Sequence, residues 1–362
     1  MHLGLDAGSV SVKFALLDID GTIIESGYQR HRGNPLKAAR EILQKYAGKA
    51  HISITGSAGK LIARAFGIDQ VNEVIALSYA AKKLLPEVKT VIEMGGEDSK
   101  LLLLDQGAVK DFSMNSVCAA GTGSFLDQQA ERMNIDIEEF GRLAVQSPKP
   151  PRIAGRCSVF AKSDMIHLQQ IATPVEDIVA GLCFAVARNF KGSICKNIDL
   201  PHPICFLGGV AANPGVERAF REILPAENLI IPEHYALMPA IGAALKDMEQ
   251  AVLHSYDMAK FDDFIALLRD DEESHRPLSN DVEKFLKRHE VNSIIHGTNG
   301  NVIDAYLGVD IGSISTNLAV IDSEGRLLAK RYLMTAGRPI NAVTTGLEEI
   351  GNEVGARVRI CG

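Results

Sequence analysis

The chain has no tryptophan, and aromatic residues make up only 6% of its 362 residues. Tryptophan fluorescence therefore cannot report ligand binding. It lacks an uninterrupted apolar run of about 18 residues, the least that makes a bilayer-spanning helix. It also lacks the pattern of a secretory signal peptide. From these absences we expect a cytoplasmic protein with no membrane partner. The formal net charge is −7 and no basic stripe offsets it, which argues against a nucleic-acid partner. There is no Walker A sequence and no true G-x-G-x-x-G, so the P-loop and Rossmann readings fail. Cysteine is sparse, with six in the chain. Without export signals these should not form a disulfide framework. They are either scattered core thiols or metal ligands.

What is present is 46% apolar and 23% charged residues with 32 glycines. This is a globular composition, long enough for two or three domains and a core that folds unaided. A turn also occurs twice. Residues 4–24 read GLDAGSVSVKFALLDIDGTII and residues 308–328 read GVDIGSISTNLAVIDSEGRLL. At an offset of 304 the shared positions are Gly4, Asp6, Gly8, Ser9, Ser11, Ala15, Asp18 and Gly21. In each copy an apolar strand runs into Asp-x-Gly-Ser, a second strand follows, and Asp-Gly or Glu-Gly closes a hairpin. Glycine lets backbone approach a ligand, serine adds a hydroxyl donor, and Asp6 can hold hydrated Mg²⁺ beside phosphates. The second copy stops at VRICG, where the first continues through HISITGSAGK. The reading expects a fragment of a longer protein with tandem homologous modules.

Between the copies, the pattern predicts three strands over 1–30, a helix near 34–46, a strand at 50–54, and a helix ended by Pro86. A second βββ unit is expected over 89–114. Helices should follow at about 121–133, 136–146, 158–170 and 174–196. A strand should enter the Gly-rich turn at 205–213, with a helix from about 214. NLIIP should form a short strand before a last helix, ALMPAIGAALKDMEQA. Residues 253–303 are charged and turn-rich and read as a solvated connector with small helical patterns.

Three Gly-rich turns at strand ends occur in order: DAGS at 6–9, EMGGEDSK at 93–100 and FLGGVAAN at 206–213. Two βββ-α halves that clasp a nucleotide between such turns make the actin-like ATPase fold, that of the acetate and sugar kinases, Hsp70 and actin, and residues 1–250 resemble it. The fold class expected is α/β, two βββαβα-type halves around a cleft. Subdomain I would span about 1–85 plus 238–250 and subdomain II about 86–237. Residues 251–303 would connect to a truncated second module at 304–362. In the resemblance the first two turns bind phosphates and the third lies against adenosine. Candidate ATP-binding residues are then Gly8, Ser9, Ser11, Lys13, Gly95, Gly96, Gly208, Gly209 and Asn213. Candidate catalytic residues are Asp6, Glu97 and Asp98, whose carboxylates can position Mg²⁺ or attacking water. Lys13 could meet a β-phosphate or be a plain strand lysine; the second copy has Asn317 there. The segments GSAGKLIARAFGI and AIGAALKDM stand where small-residue helices would join the halves.

Cys118 precedes a Gly-rich turn and a helix, and Cys157 starts another helix. At a positive helix end each thiol should be the more easily ionised. Cys183, Cys195 and Cys205 lie in apolar patterns and read as core. A [4Fe–4S] cluster takes about four cysteine ligands, which a two-fold dimer could supply from two per chain.

The sequence CAAGTGSFLD after MGGEDSK, followed by CSVFAKSDMI and FLGGVAAN, closely resembles the activators of 2-hydroxyacyl-CoA dehydratases. These belong to the BadF/BadG/BcrA/BcrD ATPase family, together with ATPase subunits of benzoyl-CoA reductase. The resemblance implies that Cys118 and Cys157 of two subunits hold one [4Fe–4S] cluster on the axis of a homodimer. It implies an ATPase coupled to electron transfer, with cofactors ATP/ADP and Mg²⁺. Ferredoxin or flavodoxin would be the donor and an iron–sulfur dehydratase or reductase the acceptor. A few kcal/mol of coupling to nucleotide would shift a one-electron potential by about 100–200 mV. Family activators usually carry Gln where Glu97 stands, and usually end near residue 250. A small-molecule kinase on the same fold, and a nucleotide-driven switch or scaffold, are the alternative readings.

Overall fold

The computed structural model describes residues 1–115, 119–155, 157–196, 198–224, 228–270, 302–312, 315–335 and 339–362. The chain opens with β1 (His2–Ala7), β2 (Ser11–Leu17) and β3 (Ile23–Arg30), an antiparallel meander. A crossover through α1 (Pro35–Tyr46) returns β4 (His51–Thr55) parallel to β1, giving the order β3-β2-β1-β4. The helix starts where it does because the Asn34 side chain accepts from Lys37 N at 3.0 Å and Pro35 occupies the first turn. It buries Ala38, Ala39, Ile42, Leu43 and Tyr46, a stripe at helical spacing.

Next come α2 (Gly59–Phe66) and α3 (Glu73–Leu84), and then the meander repeats. β5 (Thr90–Met94), β6 (Ser99–Asp105) and β7 (Ala108–Asn115) pair antiparallel, and β8 (Ile204–Leu207) joins β5 in parallel. Between β7 and β8 lie α4 (Gly123–Arg132), α5 (Ile137–Gln146), α6 (Ser158–Gln170) and α7 (Val175–Ser193). After β8 follow α8 (Pro214–Ile223), α9 (Met238–Glu249) and α10 (Met258–Asp270). A third sheet repeats the same order with β9 (Ile303–Ile311), β10 (Ser315–Asp322), β11 (Leu327–Met334) and β12 (Val358–Ile360), crossed by the helix Pro339–Val354.

The layers follow from strand alternation. On β1, Leu3, Leu5 and Ala7 face a core shared with α1, α2 and α10. Gly4 faces the other way, against α9; a Cβ there would stand 1.8 Å from Ala240 O. On β5, Ile92 and Met94 face a core built with α4 to α8, whereas Val91 faces α3 and α9. The α3–α9 pair is therefore the middle layer between the first two sheets. Its helices are in backbone contact, since a Cβ at Gly242 would lie 1.7 Å from Ala76 O. Among the described residues no helix is long and apolar enough to cross a membrane.

Three details differ from the sequence reading. GSAGKLIARAFGI forms α2, which packs on the outer layer with α10; α3 fills the joining role with α9. NLIIP forms no strand but one parallel bridge, Ile230 with Cys205, because Pro232 has no N–H to extend a ladder. The stretch read as a solvated connector opens as packed structure. His254 O accepts from Ile52 N at 2.9 Å, Tyr256 donates to Leu43 O at 2.8 Å, and Arg40 pairs with Asp262. Phe261 is fully buried and stacked on Phe66. Met258, Phe261 and Ile265 recur at helical spacing, an apolar face that the charged residues between them mask in composition.

Candidate functional site

Two strand ends and the turns after them build the site. β1 ends at Ala7, just past Asp6, and the turn closes with Gly8 N donating to Ser11 O at 3.0 Å. β5 ends in the same way, with Gly95 N donating to Asp98 O at 2.9 Å. The two turns meet: a Cβ at Gly96 would stand 2.3 Å from Val10 Cγ2 and 3.3 Å from Ser9 Oγ. Only glycine permits that approach. Between them opens a cleft of about 650 Å³.

Asp6, Gly8, Ser9, Ser11, Lys13, Gly95, Gly96, Glu97, Asp98, Gly209 and Asn213 all line this cleft. Gly208 does not. Its φ of +88° turns the chain out of β8, its amide donates to Tyr235 O at 2.8 Å, and a Cβ there would lie 2.3 Å from Met94 O. It shapes the third turn from behind. Asn213 caps α8, its Oδ1 accepting from Gly215 N at 2.9 Å and Val216 N at 3.2 Å, while its Nδ2 is buried without a partner.

The sequence reading missed an acid–amine pair repeated at one register. Asp6 and Lys13 are cross-strand partners, joined at 2.8 Å. Glu93 and Lys100 are cross-strand partners in the second sheet, joined at 3.1 Å. Asp310 and Asn317 hold the same register in the third, with Asn317 Nδ2 donating to Asp310 at 3.2 Å. Lys13 uses one of its ammonium hydrogens on Asp6. Lys100 also meets Asp98 and Glu73, each at 2.8 Å. An ionisable residue inside the apolar strands TVIEM and SKLLLLD was the available signal.

Burial would push both lysines down, but the carboxylates outweigh it. Asp6 holds Lys13 above the ordinary lysine range, and Glu93, Glu73 and Asp98 hold Lys100 there. Glu93 is buried at the cleft wall, and burial pushes its carboxyl up. Among the described residues, two ion pairs link the first half with the second. Lys100 on β6 reaches Glu73 on α3, and Arg30 on β3 meets both oxygens of Asp127 on α4 at 3.1 Å. Pairing with Asp127 holds Arg30 above its usual value.

The first turn of α4 is tied to the second cleft turn by backbone. Gly123 N donates to Gly95 O at 2.9 Å and Ser124 N to Gly96 O at 2.8 Å. Cys157 is half-buried and is the N-cap residue of α6, whose first turn no side chain caps. Beside it Val159 and Phe160 are 65% and 67% exposed. Cys118 lies outside the described residues. Among those described, no group of three or more His, Cys, Asp or Glu is placed to hold a metal ion. Cys183, Cys195 and Cys205 are core thiols, each pushed up to about 12 by burial.

Comparison with known proteins agrees with this architecture. The chain is 33% identical over 258 residues to the 2-hydroxyisocaproyl-CoA dehydratase activator of Clostridioides difficile, covering 69% of this chain and 95% of that one. It is 31% identical over 256 residues to the (R)-2-hydroxyglutaryl-CoA dehydratase activating ATPase of Acidaminococcus fermentans, covering 69% and 97%. The crystal structure of component A of that dehydratase matches with a TM-score of 0.63 at 28% identity, over 69% of this chain and 98% of that one. The Clostridium difficile activator with bound ADPNP matches with a TM-score of 0.62 at 29% identity, over 76% and 99%. The fold is thus the actin-like ATPase fold. A profile of the BadF/BadG/BcrA/BcrD ATPase family matches residues 3–246, and with two relatives above 30% identity the chain belongs to that family.

Proposed function

We propose that this chain is an ATP-dependent one-electron donor that activates an iron–sulfur partner, a 2-hydroxyacyl-CoA dehydratase or a related reductase. The observation that carries the reading is the backbone link from Gly95 and Gly96 to Gly123 and Ser124. It joins the turn that would hold phosphates to the helix that follows Cys118, so displacement of one displaces the other. A bound nucleotide acts through its differential affinity for two cleft states, and Gly95 and Gly96 are where this chain would feel it.

In the cleft, Ser9 and Ser11 supply hydroxyl donors and Lys13 supplies charge to a phosphate chain. Asp6 and Asp98 would hold Mg²⁺; one or two carboxylates plus phosphates and waters suit this ion, which needs no all-protein cage. Glu97 is exposed and lines the cleft, where its carboxylate would orient the attacking water. Gly209 and Asn213 form the third wall, and the unpartnered Nδ2 of Asn213 is free to donate to a base or ribose.

The cysteines suit a shared cluster. Two thiols per chain fall short of a closed site in one chain and complete one across a two-fold axis. Cys118 and Cys157 would hold a [4Fe–4S] cluster, which when bound supplies a one-electron carrier. The uncapped first turn of α6 leaves N–H groups for its negative charge. Exposed Val159 and Phe160 beside Cys157 fit a homodimer contact. A ferredoxin or flavodoxin would be the electron source.

The test is iron and acid-labile sulfide per dimer in anaerobically purified protein, with Cys118→Ser and Cys157→Ser alongside. The expected result is about four irons per dimer, lost in either variant. No iron after anaerobic reconstitution would overturn the electron-donor reading and leave a kinase or a nucleotide switch.

A further inference from the structure

The repeated acid–amine pair differs between the halves in one respect. Lys13 spends a single hydrogen on Asp6, at 2.8 Å, and faces the cleft with the others. An ammonium has three donors, and Lys100 Nζ has a carboxylate for each. They are Glu73 Oε2 at 2.8 Å, Asp98 Oδ2 at 2.8 Å and Glu93 Oε2 at 3.1 Å. Lys100 borders the cleft, but its side chain is only 4% exposed and no donor remains for a phosphate. Lys100 therefore cannot act on a nucleotide directly.

Its three acceptors come from three elements. Glu93 is on β5, Asp98 closes the second cleft turn, and Glu73 begins α3 in the middle layer. All three acceptors border the cleft, with Glu73 25% and Asp98 28% exposed, but Asp98 alone of the three belongs to the second cleft turn, where Gly95 N donates to its backbone oxygen. A carboxylate at a turn would otherwise rotate freely. Here one oxygen is fixed by a buried ammonium that is itself fixed from two other directions.

We propose that Lys100 is a positioning residue for nucleotide hydrolysis: it locks the Asp98 carboxylate at the cleft wall and, through Glu73, ties that wall to α3. The inference rests on the nucleotide-cleft reading above. Loss of the lock should affect turnover more than binding, because Asp6 with the phosphates and waters still holds Mg²⁺, while the metal must be held in one place by an oriented Asp98 when water attacks. Misplacement of such a group by about 1 Å can cost on the order of a hundredfold in rate.

The experiment measures steady-state ATP hydrolysis and MgADP binding on the full chain, for wild type, Lys100→Met and the double variant Lys100→Met with Glu73→Gln. MgADP stoichiometry normalises each preparation to its folded fraction. The double variant removes one positive and one negative charge, so the net charge of the cluster is restored. The expected result is a kcat lower by at least about tenfold in both variants, with KM for MgATP and Kd for MgADP within about threefold of wild type. Recovery of kcat in the double variant would overturn the proposal, because Lys100 would then only balance Glu73. Equal loss of kcat and MgADP affinity would overturn it as well, by making Lys100 a general support of the cleft. A wild-type chain that neither binds MgADP nor hydrolyses ATP would overturn the nucleotide reading and this inference together. Wild-type turnover matched by both variants would overturn the inference alone.

Discussion

At the scale of single residues, burial separates the cysteines into two chemical groups. Cys183, Cys195 and Cys205 are enclosed by apolar side chains, and burial pushes each thiol up to about 12. A pKa of about 12 leaves roughly one thiolate in ten thousand at pH 8, and the thiolate is the species that reacts. Cys361 is exposed and Cys157 half-exposed. Native iodoacetamide labelling at that pH, read by peptide mass spectrometry, should modify Cys361 fully and leave the three core thiols untouched until denaturant is added. Labelling of Cys183 at the rate of Cys361 would contradict the packing described for α7. The same scale shows what sequence pattern reveals. Asp6, Ser9, Gly95 and Gly96, which line the cleft, were legible because a Gly-rich turn has a local grammar. Glu93, Lys100 and Glu73 were not, because their grouping depends on contacts between α3, β5 and β6 that no local window contains.

At the scale of elements, the two middle-layer helices meet by backbone packing, while Leu77, Val91, Leu102 and Ile241 fill the core between them and the sheets. Gly242 on α9 leaves no room for a methyl group beside Ala76 O. Gly242→Ala must push α9 from α3, and overpacking of this kind costs about 3 kcal/mol. Gly192, on α7, has open space where a Cβ would go. Gly192→Ala should stabilise by about 0.5–1 kcal/mol through helix propensity alone. Urea unfolding of both variants checks the pair, and equal effects would contradict the close approach of the middle helices. The third sheet shows the repeat as geometry. Gly312 N donates to Ser315 O as Gly8 N does to Ser11 O, and Asp322 accepts from Arg326 N as Asp18 accepts from Thr22 N. Of the identities at offset 304, Gly8, Ser11 and Asp18 are the residues that make these turn contacts.

At the scale of the whole molecule, the cleft turn is tied by backbone to α4 and α4 shares one core with α6, the helix whose first turn no side chain caps. If the chain works as a dimer about Cys157, the exposed pair Val159 and Phe160 should be covered there. Phe160→Asp should leave the unfolding transition unchanged and convert the dimer to monomer in anaerobic light scattering, with iron content falling in parallel. A dimer that persists with full iron would place the interface elsewhere.

The sequence by itself determined most of the elements, their order and the three Gly-rich turns, though not the loss of the strand at NLIIP or the packed helix α10. Strand alternation, helix caps and glycine-dependent turns are short-range constraints, written in consecutive residues. It also determined the family resemblance, which the matched profile and relatives bear out. Only the tertiary structure decided which helix joins the halves, that Gly208 stands behind the cleft, and that the first part of the connector packs on the first sheet. It alone brought Glu73, Glu93 and Asp98 around Lys100. Those outcomes depend on which apolar faces meet and on charges brought together from distant segments. The free energy of such contacts is a property of the packed whole and of no single stretch of chain.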